Sequence, residues 1–241
     1  SNPAFLFLMF LKFRERMNQE NVIDDKPVLL KAIELILADP ADIQKETKSL
    51  IAKFKGQHPK KTDKQVRKLV VDKIISNYSY YAAFSGAGTG LTGVIPGLGT
   101  AIAAFGGAAT DAALCMKYQV EMTMALASAY GHDILREEEK RLCLIIAGLG
   151  TINEAGKEGG KALTSKAFIK MTQQYLKGAT LQAVKEIFKK VGLTFTRKAL
   201  EKSIPFGVGV IIGFSANKGL TWYVGSKAHD FFESDDITEA A

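Results

Sequence analysis

The residues whose types and spacing most resemble chemical machinery lie in GAGTGLTGVIPGLGT, from Gly86 to Thr100. Gly88, Gly90 and Gly93 stand at GxGxxG spacing, and glycines so spaced let a backbone close around a pyrophosphate. That use requires a strand leading into the first glycine and an acidic residue about twenty positions beyond it. The preceding residues, KLVVDKIISNYSYYAAFS, instead have helical periodicity. Asp111 has the right separation but falls inside an expected helix, so no nucleotide site is assigned. His132-Asp133 could form half of a catalytic couple, but a turn histidine beside a helix cap is the plainer account. No GxSxG, HExxH or CxxC motif occurs, and His58, His132 and His229 are far apart in sequence. No catalytic residue, metal or cofactor is assigned, and an enzyme is not the expected class.

A second chemistry is electrostatic. Lys53, Lys55, Lys60, Lys61, Lys64, Arg67 and Lys68 share one short segment with a single acid, Asp63. Close to an anionic bilayer each such cation contributes about 1 kcal/mol. Nucleic-acid recognition would call for interleaved aromatics or a recognition helix, and only Phe54 qualifies, so nucleic acid is not expected. A solvated charged loop is the competing account. The net charge of +7 favours an anionic partner or serves solubility alone.

These residues must be carried by helices. Leu29, Leu30, Ile33, Ile36 and Leu37 follow Pro27 at helical spacing, and Ile43, Thr47, Leu50, Ile51 and Phe54 follow Asp39-Pro40. Thr62 is placed to cap a helix with the stripe Val66, Leu69, Val70, Ile74, Tyr78 and Tyr81. Pro96 is expected to open a long helix ending at Gly131, with Asp133 capping the next one above Glu137–Glu139. GKEGG (156–160) reads as a loop, two amphipathic helices follow, and Pro205 opens the last helix. Strand alternation is absent. The expected fold is an all-α multi-helix bundle, and Cys115 and Cys143, both in apolar helical patterns, should be buried free thiols.

No charged residue occurs from Ile74 to Thr110. The run is long enough for a transmembrane hairpin, but it consists more of Gly, Ala, Ser and Thr than of large apolar residues. Its glycines read better as packing devices. Gly86/Gly90, Gly93/Gly97 and Gly99/Gly107 (with Ala103 between) fall at four-residue steps or multiples, as do Gly209/Gly213 after Ile204-Pro205. Small residues at this spacing let helix backbones approach closely. The expectation is two central Gly/Ala-rich helices, starting near Pro96 and Pro205, packed closely on each other. Where they cross, Asp111 is expected to find Asn217 or Lys218 as a buried polar partner, because an isolated buried charge is costly. Three segments are anticipated: a charged amphipathic part over 1–61, a helical domain over 62–232 and an acidic flexible tail over 233–241.

The stretch AAFSGAGTGLTGVIPGLGTAIAAFGGAATDAALCMKYQVEMTMALASAYGHD resembles the EcsC family: a Gly/Thr-rich segment, a small-residue helix carrying Asp111, then a helix closing on Tyr130-Gly131. IPFGVGVIIGFSANKGLTWYVGSKAHDFF resembles the family's closing segment, and the likeness spans roughly residues 62 to 232. The resemblance implies an all-helical, mostly bacterial, membrane-associated protein, and it supplies no catalytic motif. The functional expectation is an accessory or interaction protein at the inner face of the cell membrane, cytoplasmic and peripheral, held by anionic lipid. A membrane-protein partner is an open addition. Two alternatives stand beside it: a pore-forming, toxin-like protein that inserts residues 74–110, and a carrier of an apolar ligand.

Overall fold

Helix starts and stops follow local chemistry. The computed structural model describes residues 26–85, 95–105, 107–155, 163–176, 181–201 and 209–239; side-chain surroundings are described except at 85, 105, 107–110, 155, 196–201, 209–216 and 236–239. Helix α1 spans Val28–Ile36 and buries Leu29, Leu30, Ala32, Ile33 and Ile36. Asp39 caps α2 (Pro40–Gln57), its Oδ1 accepting the Ala41 N–H at 2.8 Å, and Pro40 supplies the first-turn geometry. Helix α3 runs over Asp63–Ser85. The Gln65 N–H donates to Thr62 Oγ1 at 3.3 Å while Gln65 Oε1 accepts the Thr62 N–H at 3.0 Å, a reciprocal capping box.

The helix expected from Pro96 does not start there. Pro96 lies in a turn with Gly97 at φ 79°, followed by a short α4, Leu98–Phe105. The long helix α5 is Gly107–Ala129. It ends in a Schellman motif: the His132 N–H donates to Ala127 O and the Gly131 N–H to Ser128 O, with Gly131 at φ 94°. Helix α6 (Glu137–Ala155) begins with Glu137, Glu138 and Glu139 at its positive end. Asp133 does not cap it directly; its Oδ1 accepts the Leu135 N–H at 3.3 Å in the preceding turn. Helices α7 (Ser165–Leu176), α8 (Leu181–Glu201) and α9 (Gly209–Glu239) complete an all-α architecture, without a strand among the described residues. Helix α9 continues through residues expected as a flexible tail. There, Asp235 comes within 4.0 Å of His132 and Ser234 bonds to Phe231 O.

Helix α5 is the hub. From Ala113 to Ala129 every residue is buried except half-buried Tyr118. It packs against α1, α2, α3, α4, α6 and α9. Helices α5 and α9 run parallel, with Gln119 beside Thr221 and Tyr130 beside His229. Helix α3 packs on α5 and α9 from one side and α6 packs on both from the other, with α7 and α8 against α6. A Cβ at Gly225 of α9 would stand 2.9 Å from Ile75 of α3 and from Met122 of α5. A Cβ at Gly150 of α6 would stand 3.1 Å from Val224 of α9, and one at Gly148 would stand 2.4 Å from Ile187 of α8. At these three glycines helix packs closely on helix.

Helices α1 and α2 contribute Leu29, Leu30, Ile33, Ile36 and Ile43 to the same core as α5, α6 and α9. The described part of the first charged, amphipathic stretch, from residue 26 on, therefore shares its apolar faces with the rest of the fold.

Candidate functional site

The turn between α2 and α3 gathers the basic segment. Lys55 in the last turn of α2 complements that helix's negative end. The capping box then restarts the chain as α3, so Lys53, Lys55, Lys60, Lys61, Lys64 and Lys68 all project from one elbow and are exposed. Asp63 is held by Lys55, Nζ to Oδ1 2.8 Å, and this contact lowers its carboxyl pKa. Arg67 departs from the other six expected anion-binding residues. It is half-buried, with its guanidinium 4.8 Å above the Tyr130 ring, so it serves packing between α3 and the end of α5.

The outward face of α3 continues from these lysines through Asp72, Lys73 and Ser76 to Tyr80 and Phe84, all exposed. The axial distance from Lys64 to Phe84 is about 30 Å at 1.5 Å per residue. Helix α9 lies antiparallel beside it, with Gly225 against Ile75 and Lys218 Nζ 3.9 Å above the Tyr80 ring. Trp222, one turn beyond Lys218, is 59% exposed. This side of the bundle thus carries cations at one end and exposed aromatics with a cation at the other. Tyr81 turns away toward Tyr118, with ring centroids 5.9 Å apart.

The expected pair between Asp111 and Asn217 or Lys218 does not form. Asp111 is exposed, Lys218 covers Tyr80, and no ion pair or hydrogen bond among the described residues joins Asp111 to either partner. The register explains the difference. The contacts Gln119–Thr221 and Tyr130–His229 set an offset that brings Asp111 level with residue 213, one turn before Asn217.

Of the glycines assigned to close packing, Gly97 is tight for another reason, a left-handed turn against the Leu35 carbonyl. Gly99 is exposed, with open space where a Cβ would stand. Gly86, Gly90 and Gly93 lie outside the described residues; Gly107, Gly209 and Gly213 are helical, but their surroundings are not among those described. A helix, α3, leads to Ser85, so the strand that a dinucleotide loop needs is not there.

Sequence reasoning missed the buried polar core. Lys117 pairs with Glu121 one turn along α5, both nearly inaccessible, and Glu121 Oε1 also accepts the Ala38 N–H at 2.7 Å. Burial, aided by the Glu121 charge, pushes the nearby Tyr78 hydroxyl pKa far up. Gln119, fully buried, donates to Cys115 Sγ and Thr221 Oγ1 and accepts from Thr151 Oγ1. Every polar atom of Gln119 is thereby used in joining α5, α6 and α9, so the network is structural. Lys227 bridges Ser165 Oγ (2.9 Å) and Asp230 Oδ2 (3.3 Å), fixing the start of α7 to α9.

Met116, Met122 and Met124 are core residues. Both cysteines are buried and unlinked, and burial pushes the Cys143 thiol pKa well up. Ellman's reagent at mildly alkaline pH should therefore leave both thiols unmodified in the native protein and titrate both in guanidinium; rapid native labelling would contradict their burial.

Among the described residues no group of three or more His, Cys, Asp or Glu could hold a metal ion, and no helix is long and apolar enough to cross a membrane. Fold and surface together describe an all-helical bundle with a buried polar network joining its central helices and a cation-rich, aromatic-edged side. The EcsC protein family model matches residues 28–234, nearly the whole chain, and the protein belongs to that family. The match begins with α1, well before the residue 62 expected from sequence, in keeping with the place of α1 and α2 in the core. No curated protein and no solved structure gives a significant match.

Proposed function

We propose that this protein is a helical accessory or interaction protein that binds peripherally to anionic membrane surfaces, at the inner face of the cell membrane. The observation that carries the reading is the α2–α3 elbow, where six lysines are exposed and the single acid, Asp63, is already taken by Lys55. Lysines on short helix ends reach phosphate headgroups without burying charge. The exposed face of α3 extends the contact along the bilayer plane. Tyr80, Phe84 and Trp222 suit the headgroup boundary, where amphipathic rings are favoured, and Lys218 beside them suits its anionic groups.

Flotation with phosphatidylcholine vesicles, with or without phosphatidylglycerol, tests the reading. Binding is expected only with the anionic lipid, and it should weaken as salt rises. Lys60→Gln/Lys61→Gln should cost about 2 kcal/mol, roughly thirtyfold in partitioning. Trp222→Ala should lower binding to the same vesicles and leave the salt dependence unchanged. Equal partitioning to neutral and anionic vesicles at low salt would overturn the proposal.

A further inference from the structure

The elbow is not the only cationic surface. Helices α7 and α8 together carry seven Lys or Arg and two acids, Glu186 and Glu201. Helix α7 packs on both α6 and α9, whereas α8 packs chiefly on α6, across that helix from α9 and α3. Two contacts define that arrangement: Gly150 of α6 meets Val224 of α9, whereas Gly148 meets Ile187 of α8, so α6 separates α8 from the central pair. On α8, Lys189 and Lys190 are exposed next to Leu193, itself 62% exposed, and on α7 Lys166 and Lys170 are exposed one turn apart. Glu186 is engaged by Gln182 Nε2 at 3.3 Å.

Resting on the peripheral-binding reading above, we propose that the protein bridges two anionic bilayers, gripping one through the α2–α3 elbow and a second through the exposed face of α8. Three packing steps of 8–10 Å separate α3 from α8, on the order of 25 Å between axes. That exceeds the Debye length of about 8 Å at physiological salt, so the two faces attract anions independently. A single flat bilayer cannot touch opposite sides of the bundle at once. The second face therefore adds nothing to attachment on one membrane and is available to another. Charge complementarity selects the occupant: exposed lysines with an outward leucine and little acid match anionic headgroups over an apolar layer.

Dynamic light scattering on phosphatidylglycerol-containing vesicles reads bridging, and flotation of the same samples reads attachment. The wild-type protein should increase particle size severalfold at low protein-to-lipid ratio, and less at high ratio, where each vesicle is coated. Lys189→Glu/Lys190→Glu should float with vesicles within a few-fold of wild type yet abolish clustering, with its folded state checked by far-UV circular dichroism. Wild-type protein that floats but never clusters vesicles overturns bridging and leaves peripheral binding standing. Clustering that persists undiminished in the variant also overturns it, since self-association on one surface would then be the cause. Failure to float at all removes the peripheral-binding reading itself.

Discussion

Replacing Glu121 by alanine is expected to lower the unfolding free energy by about 3–5 kcal/mol, the cost of stripping one partner from a buried ion pair. Its carboxylate has two duties at one point of the core. Oε1 takes the Lys117 ammonium within α5 and also the Ala38 N–H, just beyond the end of α1. With alanine the ammonium is left at a site where Lys117 is 7% exposed, and the Ala38 N–H loses its acceptor. Glu121→Gln separates the two duties, since an amide oxygen can still accept from Ala38 but cannot neutralise Lys117. It should fall between wild type and alanine. Lys117→Met/Glu121→Leu should return to within about 1–2 kcal/mol of wild type, because apolar replacement of both partners removes the desolvation cost. Urea unfolding of the four proteins measures this order. An alanine variant as stable as wild type would mean that Lys117 reaches water in the folded protein.

That buried pair also shows what could and could not be read from the sequence. Lys117 and Glu121 stand four apart on a helix, a spacing that usually signals a solvated surface pair. Only the apolar residues surrounding them, Leu114, Met116, Val120 and Met122, distinguish this pair from an exposed one. Signals confined to a few consecutive residues were legible: Asp39-Pro40 and Thr62 start helices, Gly131 ends one, and the amphipathic stripes of α1 and α3 face the core, except that Tyr81 at the end of the α3 stripe is exposed. The six exposed lysines of the elbow were legible for the same reason, because a capping box and a helix end fix their directions locally.

Register between distant helices was not legible. Counting from Pro96 and Pro205 set Asp111 opposite Asn217 and Lys218, but the first of these prolines does not begin α5. The side chains that fix the α5–α9 register, Gln119 and Thr221, carry no pattern that distinguishes them from other polar residues on those helices. For the same reason the close-contact glycines described here, Gly148, Gly150 and Gly225, could not be picked out by spacing. Each is a contact between helices far apart in sequence.

Two glycines of the motif IPGLG should respond in opposite directions, and the contrast tests what that motif does. Gly97 has φ 79°, a conformation that costs an L-residue about 1–2 kcal/mol. A Cβ there would also stand 2.2 Å from the Leu35 carbonyl oxygen of α1. Backbone cannot rotate aside as a side chain can, so accommodating the methyl group must push α1 from the turn that precedes α4, adding about 1–3 kcal/mol. Gly97→Ala is therefore expected to destabilise by about 3–5 kcal/mol. Gly99 stands two residues later in the first turn of α4, with nothing within 4 Å of the added carbon. Gly99→Ala should leave stability unchanged or raise it by up to about 1 kcal/mol through helix propensity. Thermal unfolding of the two variants side by side decides the point. A large loss at Gly99, or tolerance at Gly97, would mean that α1 and the turn at Pro96 do not meet as described. The expected result assigns Gly97 to the junction of α1 with the turn, where a carbonyl must come within reach of a bare Cα.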